Sequence, residues 1–158
     1  MSEFNQKLLE HFLNPRNVGV IKNPDGYARM ENPVNGYTTD MYLRVKNGHI
    51  QDIKFKTYGC TVTIASASTL TDLVKGKNLE EIVDSDDSLE TLLELMRIEL
   101  GDVPERNWHC LPTAIQTLYS AVYDYYEKGK DEKNVKKIED ILTDIKCYFE
   151  NKLSQLED

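Results

Sequence analysis

No stretch of the 158-residue chain approaches the roughly 20 consecutive apolar residues that span a bilayer, so no membrane helix is expected. Positive charge is in deficit: 19 Lys and Arg against 27 Asp and Glu leave a net charge of −8. Phosphate contacts need clustered Lys and Arg, so DNA, RNA and anionic membranes are poor partners. The amino-terminal MSEFNQKLLEHF is amphipathic and charged, and lacks the apolar core and cleavage site of a secretory signal. A cytoplasmic location is therefore expected. Cysteine is scarce, with Cys60, Cys110 and Cys147 alone. An odd number in that compartment argues against a disulfide framework and for thiols or metal ligands. There is no CxxC or CxxH pair, so no local zinc-knuckle signal exists. Internal repeats and low-complexity tracts are also absent.

What is present reads as one core of ordinary size. Phe4, Leu8 and Phe12 fall on one face of a helix over residues 3–13, which Asn14-Pro15 stops. Three strand candidates follow: Tyr27–Glu31, Met41–Lys46 and Ile50–Thr57. In the second, Met41, Leu43 and Val45 oppose Tyr42, Arg44 and Lys46; in the third, Ile53 and Phe55 oppose Lys54 and Lys56. Asn47-Gly48 between them suits a two-residue hairpin with positive φ. Helices are expected over Thr61–Val74, from the Asp87/Glu90 capping pair to Leu100, from Leu111 to Tyr125 with Pro112 in the first turn, and along a stripe from Val135 to Leu153. Lys128–Asn134 reads as a charged linker. The expected fold is α+β: a three-stranded antiparallel sheet with helices on one face and an extra carboxy-terminal helix. The expected division is a domain over 1–127 and a linker with amphipathic helix over 128–158.

Cys60 immediately precedes one expected helix and Cys110 another. A helix N-terminus offers free N–H groups and partial positive charge, both of which favour the thiolate that binds metal or attacks sulfur. His109 beside Cys110 adds a second candidate ligand. Spacing alone leaves two readings open, since free cysteines are also common small core residues.

Several short strings, in order, carry a resemblance. Asn14-Pro15-Arg16-Asn17-Val18-Gly19, Asn32-Pro33-Val34-Asn35-Gly36-Tyr37, Thr57-Tyr58-Gly59-Cys60 with Ile64-Ala65-Ser66-Ala67-Ser68, Val74-Lys75-Gly76-Lys77 and His109-Cys110 resemble motifs of the NifU/IscU-type iron–sulfur scaffolds. The resemblance runs from about Phe4 to Tyr126. It implies a non-catalytic scaffold that assembles a [2Fe–2S] cluster from iron and from sulfur supplied by a cysteine desulfurase. It also implies delivery to iron–sulfur acceptor proteins, with chaperone help. Carried over by position, Cys60, Cys110 and His109 fall on ligand positions. The family's first cysteine falls on Asn35 and its aspartate on Tyr37, while Asn107 stands where the family has a lysine. Asp40 is the nearest carboxylate and a candidate replacement ligand. Neither Asn nor Tyr replaces a thiolate or carboxylate well.

Three functions follow from this pattern. A scaffold or carrier could share its cluster between two subunits, with Cys60 and Cys110 from each. A degenerate relative could act only as a binding module for a desulfurase or an acceptor. A zinc site could form from Cys60, Cys110, His109 and Asp40, with Cys110 accepting sulfur. Cys147 lies beyond the resembling region and reads as an ordinary thiol.

Overall fold

Asn47 and Gly48 both take positive φ, 53° and 76°, and fold β2 (Thr38–Lys46) back on β3 (His49–Thr57). Such a turn matches the right-handed twist of the strands it joins. With β1 (Gly26–Glu31) they form an antiparallel sheet in the order β1-β2-β3. The computed structural model describes residues 4–84 and 88–156. Around the sheet lie α1 (Gln6–Leu13), α2 (Thr61–Val74), α3 (Leu79–Val83), α4 (Ser88–Leu100), α5 (Cys110–Lys128) and α6 (Glu132–Leu156). The expected α+β architecture is the observed one. Among the described residues no helix is long and apolar enough to cross a membrane.

Residues paired directly across an antiparallel ladder share a face. Ala28, Met41 and Phe55 are in register, as are Leu43 and Ile53, and all are buried under α2 and α5. Tyr27, Arg29, Asp40, Tyr42, Lys54 and Lys56 therefore occupy the opposite face. Helix α5 crosses β1 at backbone contact: a Cβ on Gly26 would lie 2.4 Å from the Ala121 carbonyl oxygen. Glycine is required there by space rather than by φ.

Helix α2 is buried almost all round, although Ser66, Ser68, Thr69 and Thr71 lie along it fully buried. Three of these hydroxyls bond within the helix or to its neighbours, while Thr69 Oγ1 is buried with no hydrogen-bond partner among the described residues. Ser66 donates to the Val62 carbonyl and Thr71 to that of Ala67. Ser68 Oγ accepts the Arg16 N–H at 2.9 Å and pairs with His11 Nδ1 at 2.9 Å. The Asn14–Gly19 segment is thereby fastened to α2.

Some boundaries differ from expectation. Asn5 caps α1 through a 3.0 Å bond from Leu8 N–H, so the helix starts later than residue 3. Asp87 lies outside the described residues, and α4 begins at Ser88. Helix α3 was not expected, because LEEIV is too short to show a period. The linker is only Gly129–Asp131. Asp131 accepts from the Asn134 N–H and side chain, which starts α6 inside the charged run. Helix α6 is not an appendage: Ile138, Ile141, Ile145 and Phe149 join the same core as the sheet. Burial of each such side chain is worth about 1.5–3 kcal/mol.

Candidate functional site

Strand β3 ends at Thr57, and Tyr58-Gly59 delivers the chain to α2 with Cys60 as its N-cap. A Cβ on Gly59 would lie 2.7 Å from Thr63 Cβ, so this turn closes on α2 only without a side chain. A short turn, Glu105–Asn107, leads through Trp108 to His109, the N-cap of α5, and Cys110 is the first residue of that helix. Helices α2 and α5 pack side by side. Their N-terminal ends meet at Thr63, whose Oγ1 lies 3.4 Å from Cys60 Sγ and 3.7 Å from Cys110 Sγ. Asn107 Nδ2 lies 4.0 Å from Cys60 Sγ, and Asn107 Oδ1 is buried with no hydrogen-bond partner among the described residues.

The two thiols have opposite character. Burial pushes the half-buried Cys60 thiol up. Hydrogen bonds from the Thr63 hydroxyl, from the Thr63 and Val62 amides and from Cys110 outweigh it, and the net shift is below 9.0. The amides face the sulfur without closing a cap bond of normal length. Cys110 is 2 % exposed, and burial pushes its thiol up to about 12 against the pull of Thr63. The thiolate former is thus the half-buried Cys60, which is more accessible to an external reagent than Cys110.

His109 is buried beside Cys110, with Nδ1 3.7 Å from the sulfur, but that nitrogen accepts a 2.8 Å bond from Asn32 Nδ2. Burial lowers its pKa below 6.5, opposed by a hydrogen bond with the Arg106 backbone. The imidazole is held neutral and ties the 32–37 loop to α5. In that loop Asn35 is exposed and its Oδ1 accepts the Tyr37 N–H at 3.0 Å, closing an Asx turn. Tyr37 is exposed as well.

Asp40 does not join these residues. It lies on the sheet face away from α2 and α5, where its carboxylate accepts bonds from Arg29 at 2.8 and 3.0 Å and from the Tyr27 hydroxyl at 2.5 Å. The Arg29 bonds outweigh burial and hold its pKa below the usual carboxylate value. Strand alternation is the reason: Met41 points inward, so Asp40 points outward with Tyr42. The four-ligand zinc site is accordingly not assembled. Among the described residues no three His, Cys, Asp and Glu side chains are grouped to hold a metal. Cys147 is exposed on α6.

Three further residues contribute to the site. Thr63 falls three residues after Cys60, a helical spacing that places it beside the sulfur. Asn32 opens the 32–37 loop and carries no chemical signal of its own. Trp108, next to His109, stacks on a helix outside the resembling region.

Residues 3–132 match the model of the NifU-like N terminal domain. The chain belongs to this family. A similar protein is iron-sulfur cluster assembly scaffold protein IscU 1 of Archaeoglobus fulgidus, 39% identical over 131 residues, 82% of each chain. The IscU scaffold protein of Aquifex aeolicus is 37% identical over 150 residues, 94% of this chain and 88% of its own, so that alignment runs past the NifU-like segment into α6. A crystal structure from Fervidobacterium islandicum AW-1, of a protein described as a candidate assembly scaffold for the SUF system, superposes with a TM-score of 0.59 at 16% identity. It covers 75% of this chain and 96% of that one, and it bears on the fold alone.

Proposed function

We propose that the chain is an iron–sulfur cluster assembly scaffold that holds its cargo, a [2Fe–2S] cluster, through Cys60 and Cys110 of each of two subunits. The observation that carries this reading is the convergence of both thiols on Thr63 at two helix N-termini. The relatives named as IscU scaffolds support the role. Asn35 holds its own loop, Tyr37 is exposed, and Asp40 faces the other side of the sheet, so one chain offers two thiolates. Four thiolates are the ordinary ligand count of such a cluster, which two chains supply.

Cys60 is the thiol that first meets iron or sulfane sulfur. Cys110 carries its proton until metal displaces it, since ligands bind deprotonated and metal binding releases protons. Asn32 keeps His109 oriented beside Cys110, and the Thr63 hydroxyl lies between the two sulfurs as a hydrogen-bond partner of both. A cysteine desulfurase as sulfur source, acceptor proteins as recipients and a helping chaperone complete the role, which is assembly rather than catalysis. The Asx turn at Asn35 favours one second reading, a degenerate scaffold acting as a binding module for a desulfurase or an acceptor.

Anaerobic reconstitution with ferrous iron and sulfide, followed by size-exclusion chromatography, tests the proposal. Wild type is expected to elute as a cluster-bearing dimer, Cys60→Ser and Cys110→Ser to lose the cluster, and Asn35→Cys to retain it more firmly. A strict monomer holding a full cluster overturns the sharing. A wild type without cluster, whose desulfurase binding survives both serine substitutions, selects the binding module.

A further inference from the structure

The turn that presents His109 and Cys110 is short, and its residues are exposed or half-buried. Glu105 and Arg106 are exposed, Asn107 and Trp108 are half-buried, and the backbone bonds within the turn are Asn107 N–H to Pro104 and Trp108 N–H to Glu105. Its large anchor is the Trp108 indole. That ring packs edge-on against His109 with centroids 5.7 Å apart. Its other aromatic neighbours among the described residues come from α6: Phe149 at 5.7 Å and Tyr148 at 6.3 Å between centroids. Phe149 is itself buried on the core-facing stripe of α6. Aromatic contacts of this kind fix ring position as well as burying area.

We infer that α6, which lies beyond the matched NifU-like segment, is the positioning element of the thiol site, its Tyr148–Phe149 pair clamping Trp108 and thereby setting the turn from which His109 and Cys110 project. The chain of contact runs from Phe149 to Trp108 to His109, and Cys110 Sγ lies 3.7 Å from the His109 ring nitrogen. Tyr148 and Phe149 are positioning residues, since they reach the thiol site through Trp108. The inference rests on the cluster-scaffold reading for its purpose, but not for its geometry.

The test uses the full apo chain and its three thiols. Alkylation of native protein by iodoacetamide, resolved by peptide mass spectrometry, follows Cys60, Cys110 and the exposed Cys147 as an internal reference. Phe149→Ala is expected to speed Cys110 labelling at least about tenfold by making local opening of the turn easier, with Cys147 unchanged. Phe149→Leu, which keeps an apolar side chain in place, is expected to restore most of the protection. Ile138→Ala removes a buried residue of the same helix 11 positions away, about 16 Å along the axis. It controls for stability and is expected to leave Cys110 protected. Equal exposure of Cys110 in the Ile138 and Phe149 variants, at matched loss of Tm, overturns the inference, as does unchanged labelling in Phe149→Ala. Reconstitution is run in parallel. Failure of wild type to hold a cluster counts against the scaffold reading and leaves the labelling result standing.

Discussion

Cys60 and Cys110 sit at the starts of two adjacent helices and share one hydroxyl, yet a single residue of register separates their chemistry. Cys60 is the N-cap of α2, so its side chain faces the amides two and three residues on, those of Val62 and Thr63. Cys110 is one place further along, inside the first turn of α5, and its cap position is filled by His109. There it meets packing instead of amides, and burial dominates. A helix N-terminus therefore does not by itself make a thiolate. The position within the first turn decides whether the free N–H groups face the sulfur or pass it.

The largest expected consequence is in reactivity. Cys60 should alkylate faster than Cys110 in the native apo protein at pH 8, by on the order of a hundredfold, as follows from thiolate fraction and exposure. Equal rates would break the comparison. Thr63→Val, which removes the shared hydroxyl and keeps its shape, should raise the Cys60 pKa and slow its labelling at pH 7 by roughly three- to tenfold. A pH titration of labelling rate measures that shift.

A smaller effect is expected from His109. Its pKa in the folded chain lies below 6.5, so as pH falls from 6.5 the unfolded chain takes up a proton before the folded one does. Stability should therefore fall as pH drops from 6.5 toward 5, and this part of the slope should vanish in His109→Gln. Urea denaturation at a series of pH values reads it. Asp40→Asn should leave both thiol rates unchanged, because the carboxylate is on the far face of the sheet. It should lower stability by about 1 kcal/mol, a figure discounted because Arg29 is 60% exposed. Any change in Cys60 labelling in that variant would contradict the separation of the two faces.

The hairpin, the α+β order and the two cysteine-bearing helix starts were legible because each rests on local chemistry: a dipeptide that accepts positive φ, alternation with period two, and residues that end helices. The same alternation already excluded Asp40. With Met41 in the inward set, Asp40 shares the outward face with Tyr42, so nearness to Tyr37 along the chain does not bring it to the thiols. Thr63 was within reach of the same reasoning, three residues into a helix whose start was known. The bond from Asn32 to His109 was not legible, since it joins residues 77 positions apart and neither carries a local pattern that selects the other. The packing of Trp108 on α6 was hidden for the same reason. An amphipathic stripe declares that a face will be covered, and does not declare by what.

The Asn32 amide has one further consequence. Its Oδ1 accepts the Val34 N–H at 2.8 Å, so its amino group must be the end that faces His109. Nδ1 of the imidazole is then an acceptor and the ring proton resides on Nε2. The tautomer of His109 is dictated by a loop in a distant part of the chain. The two ring-nitrogen chemical shifts of His109 thus form a spectroscopic gauge of that loop: while the loop is seated they differ as in a single tautomer, and as it lifts away they converge toward the average of two.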